Sequence, residues 1–213
     1  MAMERSITAF SIALLASLAS TLVIVVQAQR PGFISIDCGA PSEYTDEIFD
    51  ITYKMDDGFI SSGKNMEIAQ ELMDPTTIKY LNNVRFFPDG TRNCYTLRPN
   101  LGKNRTYYIR AAFWYGNYDG KNQPPIFRLY IDVNYITTVD YNAYYGSEEI
   151  MYVSNEDDIQ VCLVNIGTGV PYISALELRA LDNDIYRAGS GGSGLIRSWR
   201  FDLGQSSTIY GDR

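Results

Sequence analysis

Alternation of apolar and polar residues recurs along most of the chain. Ile34, Ile36 and Cys38 alternate with Ser35 and Asp37, and Ile109, Ala111 and Phe113 share one face of a run whose other face carries Arg110 and Ala112. Phe127, Leu129, Ile131 and Val133 alternate with Arg128, Tyr130 and Asp132, and Leu176 and Leu178 with Glu177 and Arg179. A period of two places every second side chain on the same face, the pattern of strands buried on one side. Between these runs lie turn clusters: Asp57-Gly58, Pro88-Asp89-Gly90, Gly116 to Gly120, Gln123-Pro124-Pro125 and Gly167-Thr168-Gly169. Only Asn65–Met73 hints at a helix, and it stops before Pro75. Many short strands joined by polar turns predict an all-β fold, an antiparallel β-sandwich.

Both ends of the chain depart from this pattern. Arg5 precedes an uncharged run from Ile7 to Val26, followed by Gln27 and Ala28. A basic start, an apolar run and small residues at −3 and −1 describe a secretory signal peptide over residues 1–28. The alternative is a retained membrane anchor, since such a run can just span a bilayer. Residues 183–195 hold the Gly-Ser-Gly-Gly-Ser-Gly stretch of a flexible linker. Its glycines also satisfy G-x-G-x-x-G, but no preceding βα turn supports phosphate binding, and too few residues follow.

Composition narrows the chemistry. The chain has 213 residues, a net charge of −7 and no histidine. Acidity argues against nucleic acid, and the missing histidines remove His-based triads and His zinc sites. Seventeen tyrosines against nine Phe and two Trp favour strands and stacking surfaces. Export permits disulfides, and three cysteines allow one intrachain bridge. Cys162 sits in the apolar run Val161–Val164, whereas Cys38 and Cys94 lie beside turn residues, so Cys38–Cys94 is the expected bridge. Asn104-Arg105-Thr106 is an N-glycosylation sequon ahead of a strand.

Seven segments in one order resemble the malectin-like domain of plant leucine-rich-repeat receptor-like kinases. They are Gly32–Gly39, Tyr44–Asp46, Val84–Gly90, Arg92–Leu97, Tyr115–Gly120, Val161–Asn165 and Ile173–Leu178. The resemblance implies a jelly-roll type β-sandwich lobe over residues 29–182. Ser198–Gly204 resembles the opening of a second such lobe, so residues 196–213 are expected to be its truncated start, in a product lacking a kinase. It further implies a non-catalytic extracellular module, secreted or at the cell surface. Its partners would be cell-wall or glycoprotein carbohydrate, a secreted peptide, or receptor ectodomains that the lobe engages as a decoy. No cofactor and no metal are expected.

A sugar site needs flat aromatic faces and amide or carboxylate groups for hydroxyls. Tyr115, Asn117, Tyr118 and Asp119 supply these in a glycine-bracketed loop. Tyr144 and Tyr145, with Tyr141 and Asn142 close by and Glu148 and Glu149 just beyond, form a second candidate. In the competing reading these tyrosines simply pack on the sandwich rim. A glycoside hydrolase would need two converging carboxylates. Glu148/Glu149 and Asp157/Asp158 are adjacent pairs that a strand points to opposite faces. The acidic run Asn155–Asp158 lacks the spaced ligands of a calcium loop.

Overall fold

The computed structural model describes residues 32–73, 78–141, 145–182 and 194–196. The segments read as signal peptide and second-lobe start, and most of the linker, lie outside these. The strands are β1 (Ile34–Asp37), β2 (Tyr44–Asp46), β3 (Ile51–Met55), β4 (Lys64–Glu67), β5 (Asn83–Phe86), β6 (Arg92–Leu97) and β7 (Arg105–Trp114). They continue as β8 (Ile126–Ile131), β9 (Asn134–Val139), β10 (Tyr145–Ser154), β11 (Ile159–Thr168), β12 (Tyr172–Ile173), β13 (Ala175–Ala180) and β14 (Gly194–Ile196). A seven-stranded sheet runs β14-β10-β7-β13-β1-β3-β2, a four-stranded sheet β6-β11-β8-β9 and a small sheet β12-β5-β4. The described pairings are antiparallel except the parallel contact of β1 with β3. In place of the helix expected over Asn65–Met73, the chain forms β4 and a single 3-10 turn, Gln70–Leu72, with no buried residue. β4 pairs antiparallel with β5, and Ile68 just beyond it is buried, so strand pairing takes the place of helical bonds.

The core lies between the sheets. Ile36, Ile109, Phe113, Ile150, Leu176 and Leu178 from the large sheet meet Tyr95, Phe127, Leu129, Ile131, Val161 and Leu163 from the four-stranded sheet. These are the inward positions of the period-two runs, each worth roughly 1.5–3 kcal/mol for a fully buried large side chain. Val133 falls just beyond β8 in the turn to β9 and is exposed.

The other face of the large sheet is polar yet covered. Register puts Glu149, Arg110, Glu177 and Ser35 in one row across four strands. Arg110 clamps Glu177, with its Nε 3.1 Å from Oε2, while Tyr53 donates to the same carboxylate at 2.6 Å. Burial alone would raise the Glu177 carboxyl, but Arg110 and Arg179, with Tyr53, outweigh it and hold it below the usual range.

The cysteine expectation is corrected. Cys94 on β6 and Cys162 on β11 stand directly opposite, with Cα atoms 4.0 Å apart, and form the disulfide. Cys38 is a buried free thiol. Cys94 points outward between the buried Asn93 and Tyr95, whereas Cys38 belongs to the core cluster, so the two face different environments. Burial pushes the Cys38 thiol well above its ordinary range, leaving it inert.

Candidate functional site

The loop leaving β7 carries the first set of expected site residues. Gly116, with φ +50°, turns the chain, and a Cβ there would come within 2.3 Å of Ile68. The tight approach lets Ala69 donate its N–H to the Gly116 carbonyl at 2.8 Å, tying the loop to the chain beyond β4. Tyr115 and Tyr118 then turn inward. Tyr115 is fully buried and Tyr118 is 7% exposed. Their rings pack on each other at 5.5 Å, and Tyr118 packs on Tyr172 at 5.6 Å and Phe86 at 5.3 Å. Both rings pack against neighbouring aromatic rings in the interior.

The polar residues of this loop also serve the loop. Tyr115 donates its hydroxyl to Asp119, and the same carboxylate accepts the Lys121 N–H at 3.2 Å. Asn117 accepts the Asn122 N–H at 2.9 Å, and Tyr118 donates to the Val170 carbonyl at 3.3 Å. Burial and the bond to Asp119 push the Tyr115 hydroxyl up to about 12. The other carboxylate oxygen of Asp119 lies 3.5 Å from the exposed Lys121 ammonium.

The second set is divided. Tyr144 and Asn142 lie outside the described residues. Tyr141 lays its ring over Gly146, where a Cβ would fall 2.3 Å away, and donates to Glu148 at 2.6 Å. Tyr145 is different: it is 42% exposed and stands opposite Trp114 across the β7–β10 ladder, ring centroids 6.5 Å apart. Trp114 is not among the expected residues. Its signal is register, because the first residue of β10 faces the last of β7, and one sequence does not reveal that pairing. Glu148 and Glu149 diverge, one beside Tyr141 and the other buried in the Arg110 row. Among the described residues no cluster of His, Cys, Asp or Glu could hold a metal ion.

The chain is thus an all-β lobe whose β7–β8 loop is bonded internally. The malectin-like domain model matches residues 36–212, and the chain belongs to that family. It is 39% identical over 203 residues to the putative receptor-like protein kinase At3g46340 of Arabidopsis thaliana, covering 92% of this chain and 22% of the relative. It is 45% identical over 193 residues to the probable LRR receptor-like serine/threonine-protein kinase At1g05700 of the same plant, covering 88% and 22%. The chain thus spans about a fifth of these relatives. The fold is similar to the crystal structure of the plant receptor-like kinase FER, with TM-score 0.65, 15% identity, and 78% of this chain and 47% of that chain covered. It is also similar to a chain in the crystal structure of plant peptide RALF23 with FER and LLG2, with TM-score 0.58, 14% identity and coverage of 75% and 42%.

Proposed function

We propose that the chain is a non-catalytic extracellular recognition lobe of the receptor-kinase type, and that its ligand is a peptide or protein rather than a stacked sugar. The observation that carries this reading is the burial of Tyr115 and Tyr118, which withdraws the aromatic platforms a saccharide would use. What remains at that end is Tyr145 against Trp114, with Asp119 and Lys121 at the loop surface. One aromatic anchor among charged groups suits a polypeptide contact. The solved complex of a related fold with a peptide supports the same reading. Divergence of Glu148 from Glu149 supports the absence of glycosidase activity. Export is by a cleaved signal over residues 1–28, and Asn104, exposed in a turn with φ +59°, carries the glycan.

Trp114 fluorescence, read in a full chain carrying Trp199→Phe, gives the test. The full chain is titrated with pooled secreted peptides and, separately, applied to a glycan array. A saturable peptide-induced change that is lost in Tyr145→Ala supports the proposal. Saturable glycan binding lost in both Tyr145→Ala and Asp119→Ala, without any peptide response, would replace it with a lectin.

A further inference from the structure

The outer face of the four-stranded sheet has an unusual composition. Strands β6, β8, β9 and β11 contain no Asp, Glu or Lys, and their only charged residues are Arg92 and Arg128. The whole chain, by contrast, holds 25 acidic residues. Alternation turns Arg92, Cys94 and Thr96 outward from β6, Arg128 and Tyr130 from β8, and Gln160, Cys162 and Val164 from β11. Tyr135 projects from β9 and is 53% exposed.

Four of these side chains form one continuous series. The Arg92 guanidinium lies 5.0 Å from the Tyr130 ring centre, Tyr130 packs edge-on against Tyr135 at 5.6 Å, and Arg128 lies 6.0 Å from the Tyr135 ring. Stacking on a ring occupies the face of a guanidinium and leaves its N–H edge for a planar anion. Arg92 spends one N–H on the Asp132 carbonyl, which fixes its position. Among the described residues neither arginine forms an ion pair, although Arg85, Arg110 and Arg179 all do.

Enrichment in Arg and Tyr with depletion of Asp, Glu and Lys is the compositional mark of a protein contact surface. The large sheet buries its polar outer face under Tyr53 and Tyr80, but among the described residues nothing comparable covers this one. We infer that the outer face of β6-β11-β8-β9 docks an acidic polypeptide segment, with its carboxylates on the edge of Arg128 and the segment lying across Tyr130 and Tyr135. A second copy meeting it face to face would set arginines against arginines, so the partner is a different, acidic surface. Asp132, Glu156 and Asp158 line a recess of about 880 Å³ beside Arg92 at the β8–β9 turn. They repel carboxylates and confine the acidic segment to the Arg128 side of the face. This surface lies on a sheet face, away from the Tyr145 end, so it stands or falls independently of the proposal above.

The probe is a fluorescein-labelled poly-glutamate peptide, read by anisotropy with the full chain at low salt. Binding is expected, weakening as salt rises. Arg128→Glu and Tyr135→Ala should each weaken it at least ~tenfold, and Arg128→Lys by an intermediate factor, because the bidentate edge is lost while the charge remains. Lys64→Glu, on β4, and Tyr145→Ala should leave it unchanged. Far-UV circular dichroism checks that each variant is folded. Absence of binding, equal binding by Arg128→Glu, or an equal loss in Lys64→Glu would each overturn the inference. Displacement of the peptide by polygalacturonate at matched charge, with tighter binding of the saccharide, would overturn its assignment to a polypeptide.

Discussion

Asp37 gives the sharpest test of the energetics. It ends β1 fully buried, accepting the Tyr44 hydroxyl at 2.9 Å. Burial raises its carboxyl from 3.8 to about 7; Tyr44 and Asn83 oppose the rise, Asp56 adds to it and Lys79 offsets part. The folded state therefore keeps a proton that the unfolded chain releases near pH 4, so stability falls as pH rises from about 4 to 7 and then levels. Each pKa unit corresponds to about 1.4 kcal/mol, so a rise of about three gives a full penalty of about 4 kcal/mol. Between pH 5 and pH 8 the change from this site is about 2–3 kcal/mol. An asparagine at this position would keep an acceptor for Tyr44 without a charge to desolvate, so Asp37→Asn should remove the dependence. Urea unfolding of the full chain at pH 5, 6, 7 and 8 measures it. The variant should gain on the wild type by about 2–3 kcal/mol across that range. Glu177 cannot mimic this trend: its lowered pKa costs stability only as pH falls through the acid range below the window. A gap between variant and wild type that stays constant with pH would refute the argument.

Three other perturbations follow from the packing. Arg85 holds the fully buried Asp56 with bonds of 2.6 and 2.8 Å, so Arg85→Met should cost about 3–5 kcal/mol in urea unfolding, and Asp56→Asn in the same chain should recover much of it. Replacing Cys94 and Cys162 together by serine opens a bridge spanning 68 residues and should cost about 4 kcal/mol by loop entropy. Thiol labelling of the unreduced wild type should find one cysteine, Cys38, and only after unfolding. Gly39→Ala places a Cβ 2.6 Å from the Val84 carbonyl at φ +103°, where backbone cannot yield, and should cost more than about 2 kcal/mol by thermal denaturation.

How much was legible in one sequence depends on whether a feature is local or paired. Period-two alternation is local, and it located β1, β7, β8 and β13, their inward faces and the all-β class. The Cys94–Cys162 bridge is a pairing: it needs β6 and β11 to be neighbours in a register that opposes those two residues, and neither segment carries that information. Turn residues flank both Cys38 and Cys94, but in a strand the direction of a side chain is set by parity, and parity sends Cys94 outward and away from Cys38. The tyrosines divide along the same line. A glycine-bracketed loop rich in Tyr, Asn and Asp reads as a surface site, yet tyrosine is an amphipathic side chain whose ring can be buried once its hydroxyl finds a partner. Tyr115 finds Asp119 and Tyr118 finds Val170, so the same residues that look like ligand contacts become the inner fastening of the loop. Tyr145 stays at the rim, where its partner Trp114 became visible only through the β7–β10 register. A tyrosine in such a loop is therefore evidence for a binding surface only after the acceptor of its hydroxyl is known.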